Sequence, residues 1–290
     1  MKLVSPASTP DKDGVFRCAQ IFESWGLRVE LGAHVFREVG YLAGTDEERA
    51  ADVNDALRDP GVRAIFASRG GKGAYRILDR LDFTAARADP KVLIGFSDIT
   101  NLHLVLWKEC RLVGIHGPLA SWSSEYVGLA SVEALRRAIM TADPVTLRSQ
   151  PTSVLTTHGR AAGTLLGGNL DAIANAAGWA LPSFVGAILL IEGFGVGLGH
   201  IDRQLTMLAN AGHLRGVQGI AVGQFTRCGT HGDWTAVDVL RDRLARLGVP
   251  ILGGLSIGHG LNPATVPLGT AAVLDADAGT LEIASGVRAA

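Results

Sequence analysis

The sequence predicts an α/β protein with two domains. Apolar, strand-like segments alternate along the chain with helices of about ten residues, which implies crossover connections and a mainly parallel sheet. A chain of 290 residues also exceeds what one small core usually contains. Residues 143–159 are rich in Pro, Ser and Thr and lack helical periodicity. We therefore predict domains at 1–142 and 161–290, joined by a linker at 143–160.

Strands and helices alternate through both predicted domains. Strands are expected at 3–4, 27–31, 62–68, 92–96 and 112–116, and then at 187–191, 219–225, 251–257, 271–275 and 280–284. Helices are expected at 14–25, 46–58, 74–81, 99–107 and 131–141, and then at 170–177, 200–211 and 235–247. The clearest helix start is Thr45, because Glu48 three residues later completes a capping box.

Composition and charge exclude several classes of function. Hydrophobic residues make up 47% and charged residues 19% of the chain, as in ordinary globular proteins. The 27 basic and 28 acidic residues give a net charge of −1, so no excess of cations points to nucleic acid or to an anionic membrane. We expect the partners to be small molecules or protein.

Cysteine usage and the first residues favour a cytoplasmic protein. Cys18, Cys110 and Cys228 are widely spaced and odd in number, so neither a disulfide framework nor a Cys-x-x-Cys metal site is indicated. The first ten residues lack the apolar run of a signal peptide. The longest apolar run, 185–191, is far shorter than the roughly 20 residues that cross a bilayer.

The segment 92–98, Val-Leu-Ile-Gly-Phe-Ser-Asp, predicts a buried strand that delivers Ser97 to the turn where a helix begins. A hydroxyl at such a turn is held rigidly near free backbone N–H groups, which suits a nucleophile. Only half of the Gly-x-Ser-x-Gly elbow is present, because Ile99 stands where the second glycine is expected. Ser and Asp are also common helix N-caps, and the stretch taken alone favours that interpretation.

Two further polar residues follow apolar strands and stand beside glycine. Glu192 comes after the strand at 187–191, and His259 comes after the strand at 251–257. With Ser97 they supply a nucleophile, a base and a carboxylate that holds the base. Structural alternatives exist, since Glu192 could pair with Arg203 and His259 could bond loop carbonyls. Together the three residues favour acyl transfer over helix capping, because the carboxyl ends of parallel strands face one crevice.

A glycine-rich loop, Arg69-Gly70-Gly71-Lys72-Gly73, follows the strand at 62–68. It lacks the spacing of a phosphate-binding P-loop. It fits an oxyanion hole better, with an N–H of Gly70 or Gly71 joining that of Asp98 over a carbonyl attacked by Ser97.

Neither a cofactor nor a metal ion is expected. The glycines between 193 and 199 do not have the spacing of a dinucleotide-binding loop. The pairs His200 with Asp202 and His231 with Asp233 are better explained by loop and cap roles than by metal binding.

Motifs along nearly the whole chain resemble the LD-carboxypeptidase family, which includes the microcin C self-immunity peptidases. The resemblance rests on short motifs that occur in order: Val-Ser-Pro-Ala-Ser from residue 4, Tyr-Leu-Ala-Gly-Thr-Asp-Glu-Glu-Arg-Ala-Ala-Asp-Val-Asn from 41, Ala-Ser-Arg-Gly-Gly-Lys-Gly from 67, Gly-Phe-Ser-Asp-Ile-Thr from 95, His-Gly-Pro from 116, Gly-Gly-Asn-Leu from 167, Leu-Ile-Glu from 190, Ile-Asp-Arg from 201 and Gly-His-Gly from 258.

This resemblance implies a serine peptidase with a Ser97–Glu192–His259 triad divided between two domains. It implies an N-terminal, mainly parallel, flavodoxin- or Rossmann-like sheet domain that carries Ser97, and a smaller C-terminal swivelling α/β domain that carries the other two. Asp98 and the loop of Gly70 and Gly71 would form the oxyanion hole. The family members remove the terminal D-alanine from murein tetrapeptides in cytoplasmic cell-wall recycling, and they are usually dimeric and free of metal.

Two departures from the family pattern lie near the expected substrate site. Lys72 stands where the family usually has tyrosine, and Gly193 follows Glu192 where a second acidic residue is usual. Lys72 and Arg69 are therefore expected to contact substrate, and the microcin-type cleavage of an aminoacyl-nucleotide amide is the alternative activity. A non-catalytic, two-lobed binding protein is the alternative outside enzymes.

Overall fold

The computed structural model describes residues 1–118, 126–149 and 154–288. Its strands are β1 Lys2–Val4, β2 Glu30–Leu31, β3 Ala64–Ala67, β4 Val92–Ile94, β5 Gly114–His116, β6 Val145–Arg148, β7 Arg160–Asn169, β8 Ala187–Phe194, β9 Gly219–Thr226, β10 Ile251–Leu252, β11 Val266–Leu268, β12 Ala271–Asp275 and β13 Thr280–Ile283. Its α-helices are α1 Lys12–Ser24, α2 Asp46–Arg58, α3 Phe83–Ala88, α4 Thr100–Cys110, α5 Leu129–Met140, α6 Leu170–Ala176, α7 Leu198–Asn210 and α8 Ala236–Leu244. Short 3₁₀ helices cover Ala74–Arg80, Ser97–Ile99 and Ala245–Leu247.

The first sheet has the strand order β2-β1-β3-β4-β5 with β11 added beside β5. The strands from the first half pair in parallel, and β11 alone pairs antiparallel. This is the flavodoxin-like order, in which ligands bind outside the carboxyl ends of the strands. The predicted α/β class and mainly parallel first sheet are confirmed.

The second sheet has seven strands in the order β10-β9-β8-β7-β12-β13-β6. Strands β7 to β10 pair in parallel, whereas β12, β13 and β6 form an antiparallel extension. By strand count this sheet exceeds the six-stranded first one, although its segment was expected to form the smaller domain.

Two strands cross the predicted domain division. β6 lies within the expected linker and pairs with β13, so residues 145–148 belong to the second sheet. β11 comes from the second half but pairs with β5 in the first sheet. Residues 150–153 of the expected linker lie outside the described residues. The division at 143–160 stays a prediction.

Local structure mostly follows the expected segments. The capping box at the start of α2 is confirmed, with the Glu48 N–H donating to Thr45 Oγ1 at 3.2 Å and the Thr45 N–H donating to Glu48 Oε2 at 2.9 Å. The helix expected at 74–81 is a 3₁₀ helix, and α3 after it was not predicted.

The two halves share one apolar core beneath the site. One buried cluster includes Ile65 and Leu93 of the first sheet together with Leu166 and Leu189 of the second. At its edge the N–H of Asn169 donates a buried hydrogen bond of 3.0 Å to Thr100 Oγ1, which joins the end of β7 to the start of α4. Buried packing of this kind holds the two sets of strand ends in a fixed relation.

Candidate active site

Ser97 occupies the turn between β4 and α4 with an unusual backbone conformation. Its φ is +63°, in the left-handed region that residues with side chains seldom adopt. A capping residue has an extended backbone, and the 3₁₀ turn of Ser97–Ile99 begins after Phe96 with no side-chain cap. The capping interpretation of Ser97 is therefore not supported. A strained serine between a strand and a helix is typical of a nucleophile elbow.

The glycine-rich loop approaches this serine closely. A Cβ added to Gly70 would lie 2.9 Å from the Cβ of Ser97, so any side chain at residue 70 would displace the serine. Ser8 anchors the loop, because its N–H donates to Gly70 O at 3.1 Å and its Oγ accepts from the Lys72 N–H at 3.1 Å. Within the described chain, neither the Gly70 nor the Gly71 N–H has a hydrogen-bond acceptor. Both groups are available to an anion.

The Asp98 carboxylate binds the far end of the same loop and does not cap α4. Its Oδ2 accepts from the Ala74 N–H at 2.8 Å, and its Oδ1 accepts from Asn101 Nδ2 at 3.0 Å. Burial raises the pKa of Asp98 to about 6, although the Ala74 N–H, the Lys72 ammonium and Asn101 act in the opposite direction. One buried carboxyl therefore connects the serine turn to the glycine-rich loop.

His259 and Glu192 form a buried pair. His259 Nδ1 lies 2.6 Å from Glu192 Oε2, and the two residues are 7% and 0% exposed. Burial alone would raise the pKa of Glu192, but the attraction of His259 and the hydrogen bond to it hold that pKa below its usual value. Gly258 makes the approach possible, because a Cβ there would lie 2.8 Å from Glu192 Oε2. Glu192 is thus paired with His259 and not with Arg203.

Ser97 and His259 line one cavity of about 800 Å³, outside the carboxyl ends of the first sheet. The glycine-rich loop, the start of α6 and the loop before α7 form its other walls. Phe96, next to the serine, has its ring centroid 4.7 Å from that of His259, and Phe194 stacks on the opposite side at 5.0 Å. Because Nδ1 faces Glu192, Nε2 lies on the side of the ring away from that carboxylate.

Lys72 and Arg69 lie in the wall of this cavity, and their contact with substrate stays a prediction. Lys72 Nζ bridges to Asp171 Oδ2 at 3.1 Å across the cavity, and Arg69 Nη1 donates to Thr9 O at 2.5 Å. Asp171 also accepts from Gln204 Nε2 at 2.7 Å and has His200 Nε2 at 3.4 Å. His200 therefore contacts a wall residue, and Asp202 of the same motif pairs with Arg243.

Several cavity residues were missed by sequence reasoning. Asn169 pairs in register with Glu192 on the adjacent strand, and its side chain helps to lower the pKa of that carboxyl. Asp171 and Phe194 are two others, and His116, which sequence reasoning also missed, lies buried behind the cavity beside Glu192. The Gly-Gly-Asn-Leu motif at 167–170 could have identified Asn169, because polar residues at the carboxyl ends of parallel strands converge on one site.

Within residues 1–118, 126–149 and 154–288, no three His, Cys, Asp or Glu side chains are grouped so that they could hold a metal ion. The prediction of a site without metal or cofactor stays a prediction. None of the described helices is long and apolar enough to span a membrane.

A strained serine, an adjacent glycine-rich loop and a histidine held by a buried glutamate meet at one cavity and define a hydrolase-type site. The LD-carboxypeptidase N-terminal domain family matches residues 1–117, and the LD-carboxypeptidase C-terminal domain family matches residues 162–274. The chain therefore belongs to the LD-carboxypeptidase family and is a carboxypeptidase. The alternative of a non-catalytic binding protein is not favoured.

Named relatives cover almost the entire chain. A putative carboxypeptidase of Streptomyces coelicolor is 37% identical over 97% of this chain and 92% of the relative. The murein tetrapeptide carboxypeptidase of Pseudomonas aeruginosa is 32% identical over 94% and 92%. The crystal structure of muramoyltetrapeptide carboxypeptidase from Oxalobacter formigenes superimposes with a TM-score of 0.87 at 25% identity, covering 98% of both chains. The microcin C7 self-immunity protein of Escherichia coli is 24% identical over 94% and 88%.

Proposed function

We propose that this protein is a serine carboxypeptidase that hydrolyses an L,D-peptide bond and releases the terminal D-alanine of a murein tetrapeptide. The observation that carries the proposal is that His259, paired with the buried Glu192, lines the same cavity as the strained Ser97. The names of the Pseudomonas and Oxalobacter relatives support the choice of substrate.

In the proposed mechanism Ser97 Oγ attacks the scissile carbonyl carbon, and its proton passes to His259 Nε2. Glu192 holds the ring through Nδ1 and stabilises the imidazolium, as the 2.6 Å contact supports. His259 then protonates the leaving amine of D-alanine, and the C–N bond breaks to leave an ester on Ser97. Water hydrolyses this ester by the same steps in reverse, with His259 as the base.

The N–H groups of Asp98 and of Gly70 or Gly71 are proposed to stabilise the oxyanion that forms in each half of the reaction. The close approach of Gly70 to Ser97 supports this role, because a donor must lie near the attacked carbonyl. Lys72 and Arg69 are proposed to contact the anionic groups of the substrate from the cavity wall.

The microcin-type activity is the second proposed function. It is supported by the Escherichia coli relative and by a cavity of about 800 Å³, which is large enough for a nucleoside-sized ligand. The bond broken would be the amide between an aminoacyl group and a nucleotide-like sulfamate, with the same three residues in the same roles.

Wild-type protein, Ser97→Ala and the control Ser24→Ala should be assayed with a murein tetrapeptide and with an aminoacyl sulfamoyl adenosine. Ser24 is exposed and its hydroxyl donates to Ile21 O in α1, so its variant controls for loss of a serine hydroxyl. Ser97→Ala is expected to lower kcat by about 10³-fold or more, and Ser24→Ala to leave it unchanged. Release of D-alanine supports the first function, and cleavage of the sulfamate alone supports the second.

Wild-type-like turnover by Ser97→Ala would refute the assigned mechanism for either substrate. Labelling with a fluorophosphonate, located by peptide mass spectrometry, gives a separate readout of the nucleophile. Modification of any serine other than Ser97 would contradict the assignment.

We further propose that the protein works in the cytoplasm as a homodimer. The three cysteines are free, which supports a reducing compartment. Light scattering on the purified protein tests the dimer, and the mass of a single chain at micromolar concentration would contradict it.

A further inference from the structure

A second histidine contacts the proposed catalytic carboxylate from the opposite half of the molecule. His116 ends β5 in the first sheet and is 1% exposed. Its Nε2 lies 4.0 Å from Glu192 Oε1, the oxygen that does not face His259. Glu192 thus has one imidazole at each oxygen, and the two imidazoles belong to different sheets.

The facing atoms of this contact are buried and lack hydrogen-bond partners. Among the described residues, neither nitrogen of His116 has a partner, and neither does Glu192 Oε1. Buried polar groups without partners are uncommon, because each loses its water without regaining a hydrogen bond. An unpartnered imidazole nitrogen and an unpartnered carboxylate oxygen therefore face each other at 4.0 Å, just beyond hydrogen-bond distance.

The surroundings of His116 keep its ring neutral. Burial lowers the pKa of His116 to about 4, and the attraction of Glu192 only partly offsets this effect. The titratable groups that face it are Glu192, His259 and His103, and its ring meets the edge of Phe96 at 5.7 Å. A neutral imidazole carries one N–H, so it can donate to the carboxylate without giving up a proton.

His103 is a second buried histidine in the first half of the chain, and its contacts differ from those of His116. It is also buried, with its pKa lowered to about 4 by burial, but its Nε2 bonds Gly95 O at 2.9 Å. Its bond to Gly95 O explains its burial, whereas Nε2 of His116 faces a carboxylate. Gly168 near the end of β7 leaves space for this ring, because a Cβ on it would lie 3.3 Å from His116 Cδ2.

We propose that His116 is a positioning residue, whose Nε2–H donates to Glu192 Oε1 when the imidazolium of His259 forms. This inference rests on the proposed function. The proton from Ser97 still goes to His259 Nε2, and His116 keeps its own proton throughout. His116, at the end of β5 in the first sheet, would then hold the Glu192 carboxylate in the position where its other oxygen contacts His259 Nδ1.

The test compares His116→Phe, which keeps the ring shape but has no donor, with His116→Gln, whose Nε2 can replace that of histidine. His116→Phe is expected to lower kcat by about 10- to 100-fold with KM changed less than about twofold, because the carboxylate oxygen stays unpaired. The acid limb of its pH–rate profile should move to higher pH, since unshared charge on Glu192 favours the imidazolium. His116→Gln should recover most of kcat.

His103→Phe is the matched control, because it removes a buried histidine that does not face Glu192. It should lower Tm and leave the acid limb in place. Wild-type kcat and an unmoved acid limb in His116→Phe would overturn the inference, and so would a Gln variant no more active than the Phe variant. If Ser97→Ala keeps full activity, the proposed function fails as a whole; if only the His116 variants behave as wild type, only this inference fails.

Nitrogen NMR of ¹⁵N-histidine-labelled wild-type protein gives a readout that needs no variant. A neutral His116 with its proton on Nε2 supports the inference. A neutral ring protonated on Nδ1 would overturn it, because no donor would then face Glu192.

Discussion

Replacing Asp98 tests whether its carboxylate holds the serine turn and the glycine-rich loop in register. Asp98→Ala removes both acceptors and leaves the Ala74 N–H and Asn101 Nδ2 without them. Asp98→Asn keeps one side-chain oxygen that can accept the hydrogen bond from the Ala74 N–H. A flipped Asn101 amide could accept from the new side chain, because its Oδ1 is now unpartnered within the described residues. The two variants therefore separate loss of the connection from loss of the charge.

The expected losses follow from the burial of this carboxyl. Each unsatisfied donor costs about 1–3 kcal/mol, so at pH 4, where the wild-type carboxyl is still protonated, Asp98→Ala should lose about 2–6 kcal/mol of unfolding free energy, or about 2 °C in Tm for each kcal/mol. If the loop drifts and one oxyanion donor is misplaced, kcat should fall by about 10²- to 10³-fold with a smaller change in KM. Asp98→Asn should stay within about fivefold of wild-type kcat.

Because burial raises the pKa of Asp98, ionisation of this carboxyl destabilises the folded protein. The folded protein binds this proton more tightly than the unfolded chain, because the pKa rises from 3.8 to about 6 on burial. Ionisation therefore costs about 3 kcal/mol of folding free energy as the pH rises from about 4 to 6. Asp98→Asn removes this cost, so its stability relative to wild type should increase with pH through that window.

Chemical denaturation at pH 4, 5, 6 and 7 measures the stability of the three proteins, and D-alanine release measures kcat and KM. The reasoning is refuted if Asp98→Ala keeps wild-type kcat, because the loop would then hold its place without the carboxylate. It is also refuted if the difference in stability between Asp98→Asn and wild type does not change between pH 4 and 7.

Two further predictions concern the cavity and the absence of a metal. Lys72→Met should raise KM for a carboxylate-bearing substrate about fivefold and change stability by less than about 1 kcal/mol, because its ion pair with Asp171 is largely exposed. Lys108→Met, at the end of α4 outside the cavity, is the control. An unchanged KM in Lys72→Met would show that Lys72 does not contact the substrate. Dialysis against EDTA should leave D-alanine release unchanged, and loss of activity restored by added zinc would contradict the metal-free mechanism.

Local sequence patterns were sufficient for the fold class and for the strand ends that carry the site. Alternating apolar strands and helices indicate a parallel sheet, because crossover connections need a helix between neighbouring strands. The capping box of Thr45 and Glu48 could also be predicted from the sequence, since both residues lie within one helical turn. Ser97, Glu192 and His259 could be named because each stands at the end of an apolar segment that the sequence predicts as a strand, which needs no knowledge of distant contacts. In the structure Glu192 lies within β8, and the strand expected at 251–257 covers only Ile251–Leu252.

Contacts between distant segments were decided only by the tertiary structure. β11 joins the first sheet through pairing with β5 about 150 residues earlier, and no local pattern encodes that partner. The φ of Ser97, the Asp98 bond to Ala74 and the approach of His116 to Glu192 likewise depend on segments brought together by the fold. The sequence by itself determined which residue types stand at the strand ends. The packing of the two sheets against each other determined which of those residues meet, because close packing fixes positions that local preferences leave open.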